Sequence, residues 1–134
     1  MNYSETLIDH FRHPRNAGTM RDPDGVGEDS FDGCGDLARF YVKVVDGRVT
    51  DARFQTYGCG PAIAASSAGT EVAVGRAVAE LLTLSEQEIA AAVDGLPDER
   101  QHAAQVVAGA IRAAVRDSLT RRSNSSRVGV RQDV

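Results

Sequence analysis

The sequence predicts an α+β fold: a small, mainly antiparallel β-sheet packed on one face by helices, in a two-layer sandwich. Three observations carry that expectation. A β-hairpin stands near the middle of the chain, a short capped helix precedes it, and most of the chain beyond it has helical periodicity. At 134 residues the chain has the length of one domain. A chain of that size buries roughly two-thirds of its unfolded surface without disulfide or metal staples, so a metal here would serve function.

Ser4 before Leu7, Ile8 and Phe11 reads as the N-cap of a first helix, with Tyr3 placed to staple onto Ile8 and Pro14 to stop it. From Met20 to Gly35 the chain is rich in glycine and acid (Asp22, Asp24, Glu28, Asp29, Asp32), which reads as a solvated loop. Leu37–Val45 and Arg48–Tyr57, joined by Asp46-Gly47, form the hairpin, with Phe40, Val42 and Val44 on one face and Ala52, Phe54 and Thr56 on the returning strand. Gly60-Pro61 and the small residues after it suit a closely packed helix with proline at its first position. Ser85 and Glu88 form a capping box for a helix through Val93. The last helix runs from about Asp98 to Arg122, with Ala103, Val106, Val107, Ala110, Ile111, Ala114, Val115 and Leu119 at helical spacing. The expected domain is 1–121, with a disordered tail after it, 122–134, that has few large apolar groups.

Composition excludes several functions. A formal net charge of −4 supplies no electrostatic footprint for nucleic acid or an anionic membrane. No apolar run approaches the roughly 20 residues of a spanning helix, and the polar, acidic start MNYSETLIDH does not read as a signal peptide. The expected location is cytoplasmic. There, two cysteines are free thiols or metal ligands rather than a bridge.

Both cysteines sit between glycines: Gly33-Cys34-Gly35-Asp36 before the hairpin and Gly58-Cys59-Gly60-Pro61 after it. The antiparallel pairing returns Tyr57 to where Leu37 began, so the two thiols should be neighbours. A free cysteine is often a small buried apolar residue, but flanking glycines favour a turn where a ligand can approach. Cys59 precedes a helix N-terminus, which should lower its pKa. Asp36, two residues after Cys34, could add a carboxylate oxygen. His102, by itself an ordinary partly exposed histidine, would complete four ligands of mixed S, N and O type suited to zinc or iron.

These residues sit in a recognisable frame. YSETLIDHFRHPRNAG, GCGD, DARFQTYGCGPAIAASS and the final helix beginning LPDERQHA closely resemble the IscU-type iron-sulfur cluster assembly scaffolds, which are similar to the N-terminal domain of NifU. The resemblance runs from about Tyr3 to Leu119. The short interval between Cys59 and His102 is similar to the IscU branch rather than to a zinc-bearing branch with an insertion there. It implies the IscU/NifU-N-like form of the sandwich. It also implies a protein that holds a transient [2Fe-2S] cluster or iron, or zinc in its place, on three cysteines plus Asp or His. Such a protein receives sulfur from a cysteine desulfurase and passes the cluster to apo iron-sulfur proteins. By position, Cys34, Asp36, Cys59 and His102 match family ligands, while Ala103 stands where the family has its third cysteine. The family's LPPVK chaperone-recognition segment here reads Leu96-Pro97-Asp98-Glu99-Arg100, which counts against recognition by a dedicated Hsp70-type chaperone.

The leading expectation is therefore a cluster scaffold or carrier, a binding protein rather than an enzyme. The second is a degenerate scaffold paralogue that binds Zn(II) or Fe(II) through the same four residues and acts as a regulator or partner of the desulfurase. The third is a thiol sulfur-transfer protein with Cys59 as nucleophile and His102 as base.

Overall fold

The computed structural model describes residues 3–31 and 35–132, with side chains as far as Ser123. Helix α1 (Glu5–Arg12) opens at Ser4, whose extended backbone lets its Oγ accept from Leu7 N at 2.9 Å. The same hydroxyl donates to the carbonyl of Val93, tying α1 to the far end of a later helix. Tyr3 packs against the core.

Three antiparallel strands come next, in the order β1 (Gly25–Phe31), β2 (Asp36–Val45) and β3 (Arg48–Tyr57). Strands β2 and β3 are the expected hairpin. Asp46 and Gly47 both take positive φ, as a two-residue primed turn requires, and Leu37 pairs with Tyr57 at the open end. Ala38, Phe40, Val42, Ala52 and Phe54 point into the core, with Val44 and Thr56 only partly covered. On the other face Tyr41 donates to Gln55 Oε1 at 2.6 Å and Arg39 pairs with Glu28, so that face is polar.

Strand β1 corrects the expectation of a solvated acidic loop over 20–35. Gly25–Phe31 pairs along β2 from Val42 to Asp36, because the residues that matter are the glycines between the acids. A Cβ on Gly27 would lie 2.1 Å from Ala114 N, and one on Gly25 would lie 2.2 Å from Ala114 O. The strand therefore seats directly on a helix backbone. The acidic side chains are turned aside or used: Val44 N donates to Asp24 Oδ2 at 2.8 Å.

Helices cover one face of the sheet, as expected. Helix α2 (Gly60–Ala73) packs on β3, helix α3 (Val78–Leu81) is a single turn that the sequence does not predict, and helix α4 (Glu86–Ala92) starts at Ser85, whose Oγ accepts from Glu88 N. A 3₁₀ turn at Asp98–Arg100 leads into helix α5 (Gln101–Gln132), which packs on β1 and β2. Ala103, Val106, Val107, Ala110, Ile111, Ala114 and Val115 are buried along it, while Leu119 is 43% exposed. The helix spans Gln101–Gln132 and so runs past the expected domain end at 121. Each added residue of an established helix gains a hydrogen bond without a new nucleation cost.

The buried face of α2 is partly polar. Ser67 Oγ lies 2.7 Å from His10 Nδ1 and accepts from Arg15 N at 2.9 Å, and Asn16 Nδ2 donates to Thr70 Oγ1 at 2.9 Å. These bonds pin the segment after α1 onto α2. Burial lowers the His10 pKa, with the Arg15 charge adding to the effect and Glu71 and Asp9 opposing it.

This packing has two consequences for stability. Gly27→Ala should lower the unfolding free energy by about 2–3 kcal/mol or more, because the new methyl meets helix backbone rather than a flexible side chain; a urea midpoint equal to wild type would contradict the close seating of β1. His10 is held neutral by the fold, so its contribution is complete above the ordinary histidine pKa of about 6.5 and is lost as the pH falls towards its depressed folded value. Denaturation curves at pH 7.5 and 5.5 should show a smaller acid loss in His10→Gln than in wild type, and equal losses would contradict it.

Candidate metal centre

The open end of the hairpin brings the candidate residues together. Asp36 is the first residue of β2, Cys59 is the N-cap of α2 two residues past the end of β3, and His102 lies in the first turn of α5. One donor atom from each of Asp36, Cys59 and His102 falls within 4.8 Å of the others, a grouping of His, Cys and carboxylate donors found among the described residues. Cys34, the fourth residue nominated by the sequence, lies outside the described residues.

Asp36 is the hub of this arrangement. Its side chain is only 2% exposed, yet its oxygens are occupied: Oδ2 lies 2.8 Å from His102 Nε2 and accepts from Cys59 Sγ at 3.6 Å, and Oδ1 accepts from Cys59 N at 3.3 Å. A buried carboxylate is costly unless hydrogen-bonded, and these contacts offset that cost. Gly58 makes room for it, since a Cβ there would lie 2.2 Å from Asp36 Oδ1. The glycine beside the cysteine thus serves the aspartate as much as the thiol.

The expectation that Cys59 has a lowered pKa is corrected. Its thiol sits half-buried at the helix N-terminus, and a backbone hydrogen bond from Ala62 does favour the thiolate, as its place at the helix end predicts. Burial outweighs that bond and pushes the pKa up, and the neighbouring Asp36 charge and hydrogen bond push it further, while Arg100 opposes them weakly. In the metal-free protein Cys59 is a protonated thiol at neutral pH.

Phe31 is a site residue that the sequence does not announce. Its ring stacks on the His102 imidazole, with centroids 4.9 Å apart and an interplanar angle of 25°. The available signal is the alternation of Gly25, Gly27, Asp29 and Phe31, a period-two pattern obscured by the acids. A cavity of about 500 Å³ at the opposite, turn end of the hairpin is lined by Pro23, Asp24, Gly47 and Arg121 among others, and contains none of Asp36, Cys59 and His102.

Chemically, the trio offers sulfur, imidazole nitrogen and carboxylate oxygen to one point in space. That set suits zinc or iron better than magnesium or calcium, which prefer oxygen alone. No helix among the described residues is long and apolar enough to cross a membrane.

Residues 2–125 match the family described as the NifU-like N terminal domain. The chain is 44% identical over 121 residues to the iron-sulfur cluster assembly scaffold protein IscU of Azotobacter vinelandii, covering 87% of this chain and 94% of that protein. It is 40% identical over 126 residues to the protein of the same name from Escherichia coli K12, covering 91% and 98%. These relatives are named as scaffold proteins rather than enzymes. In fold it is similar to the crystal structure of the N-terminal part of a nitrogen-fixing NifU-like protein from Brucella abortus, with a TM-score of 0.70 at 18% identity over 87% of this chain and 93% of the other.

In metal-free protein carrying Cys34→Ser, alkylation of Cys59 by iodoacetamide should have its pH midpoint above that of a free cysteine. Asp36→Asn should move the midpoint down, because it removes the carboxylate charge that disfavours the thiolate. A midpoint below the free-cysteine value, or an upward move in the variant, would contradict the electrostatic account.

Proposed function

The chain belongs to the NifU-like N-terminal domain family, and from that premise we infer that it is an iron-sulfur cluster assembly scaffold, with the cluster as its cargo. The observation that carries the reading at the level of residues is the convergence of Asp36, Cys59 and His102 within 4.8 Å. A cluster takes four protein ligands; Cys34, which lies outside the described residues, is the fourth that the sequence nominates. The cargo is a [2Fe-2S] cluster or its iron, and zinc can occupy the same donors. The protein works in the cytoplasm without turning over a small-molecule substrate, takes sulfur from a cysteine desulfurase and hands the cluster to apo iron-sulfur proteins.

The residues' own chemistry supports such a role. In the metal-free state the Cys59 thiol and the His102 ring both hydrogen-bond to the Asp36 carboxylate, so three potential ligands satisfy one another. Loading a metal takes the thiol as thiolate and breaks these bonds, which releases protons and makes affinity rise with pH. Ligands that pair with each other in this way compete with the cargo, as suits a site that must release what it holds. Ala103, buried and next to His102 in the chain, has no lone pair to add, and the cargo is held more weakly than with a third cysteine.

Ala103 also favours a second reading, a paralogue that binds Zn(II) or Fe(II) and regulates or partners the desulfurase. One experiment separates the two. Anaerobic incubation of the apo-protein with ferrous iron, a cysteine desulfurase and cysteine should give visible absorption with iron and acid-labile sulfide in equal amounts. Cys59→Ser and Cys34→Ser should each lose it, and Ala103→Cys should lengthen the half-life of the cluster. Zinc without sulfide, in a protein that gains a cluster only after Ala103→Cys, would favour the second reading.

A further inference from the structure

Phe31 ends β1, stands in register with Asp36 at the start of β2, and its carbonyl accepts from Gly35 N at 2.9 Å. Its ring covers one face of an imidazole that is only 9% exposed and whose Nε2 lies 2.8 Å from Asp36 Oδ2. A histidine ring turns freely about its last torsion, where the energy wells are broad. A hydrogen bond at Nε2 fixes where that atom sits, but leaves the plane free to rock about it; a stacked ring fixes the plane. The stack is itself held rigidly. Strand β1 seats on the backbone of α5, the helix that carries His102, through the approach at Gly25 and Gly27, so the two rings belong to elements that cannot slide independently.

We propose that Phe31 is a positioning residue: it holds the His102 imidazole in the plane from which Nε2 can leave Asp36 and meet an incoming metal ion. The restraint on the ring acts in the metal-free protein, and only the identity of the cargo rests on the scaffold reading. Groups that orient a metal-ligating histidine without touching the metal commonly change affinity by about 10–100-fold. The stack orients the ring by its face rather than by a hydrogen bond at Nδ1, so its effect is expected at the lower end of that range.

The test uses the full chain, with Zn(II) alone as the probe. Phe31→Leu keeps the apolar bulk and removes the ring face; Phe31→Tyr keeps the face. Ring ¹H–¹⁵N spectra of the metal-free protein, with the His102 signals assigned by their loss in His102→Gln, report the imidazole directly. Chelator competition reports zinc affinity. In Phe31→Leu the His102 signals should broaden, beyond the shift that loss of the ring current alone produces, and zinc affinity should fall about tenfold, with the thermal midpoint close to wild type. Phe31→Tyr should restore both. His102 signals as sharp in Phe31→Leu as in wild type, or a Phe31→Tyr protein as impaired as Phe31→Leu, would overturn the inference. A wild type that binds no zinc and assembles no cluster would instead count against the scaffold reading, and the ring spectra decide the role of Phe31 in either event.

Discussion

The buried carboxylate of Asp36 is the point on which the functional end of this protein turns. It belongs to the sheet, accepts from the N-cap backbone of α2, and contacts a side chain from the first turn of α5. Three elements far apart in sequence therefore meet on two oxygens. A carboxylate at 2% exposure is costly to bury without these partners, so the arrangement is cooperative: each element that approaches makes the group easier to bury, and the buried group orders the elements.

Burial, with the same carboxylate adding to it, raises the pKa of the cysteine. A helix N-terminus typically favours a nearby anion by about 0.3–1 kcal/mol, whereas desolvation of an ionisable group can shift a pKa by several units. Half-burial of Cys59 and a negative neighbour therefore prevail over the helix end, and the metal-free site holds a thiol rather than a thiolate. A site of this kind waits in a self-satisfied form. It binds a metal by exchanging internal hydrogen bonds for coordination, and the internal bonds are ready to re-form when the metal leaves.

Behind the site lies a packing constraint. Strand β1 meets α5 at backbone distance because two of its residues lack side chains, and only that approach carries Phe31 over the first turn of the helix. Buried small residues, Ala62, Ala64, Ala65 and Ala68, also run along α2, the helix that starts at Cys59 and packs on α1, β3 and α5. Side-chain absence, as much as side-chain chemistry, places the ligands.

How much of this is legible in the sequence depends on the range of the interaction concerned. The hairpin, its Asp46-Gly47 turn, the Ser4 and Ser85 caps and the buried stripe of α5 are set by neighbours within a few residues, and the periodicity of the chain determined them. The meeting of Asp36 with Cys59 is also readable, because a hairpin returns its own ends together whatever it packs on. Strand β1 is hidden: its acids suggest solvent, and a strand seated on a helix backbone leaves glycines where a periodic pattern would show apolar residues. Tertiary structure alone decided that the Cys59 pKa is raised rather than lowered, and that Phe31 stacks on His102. Desolvation and ring contact depend on which surfaces face each other across the fold, and no local pattern of residues encodes that.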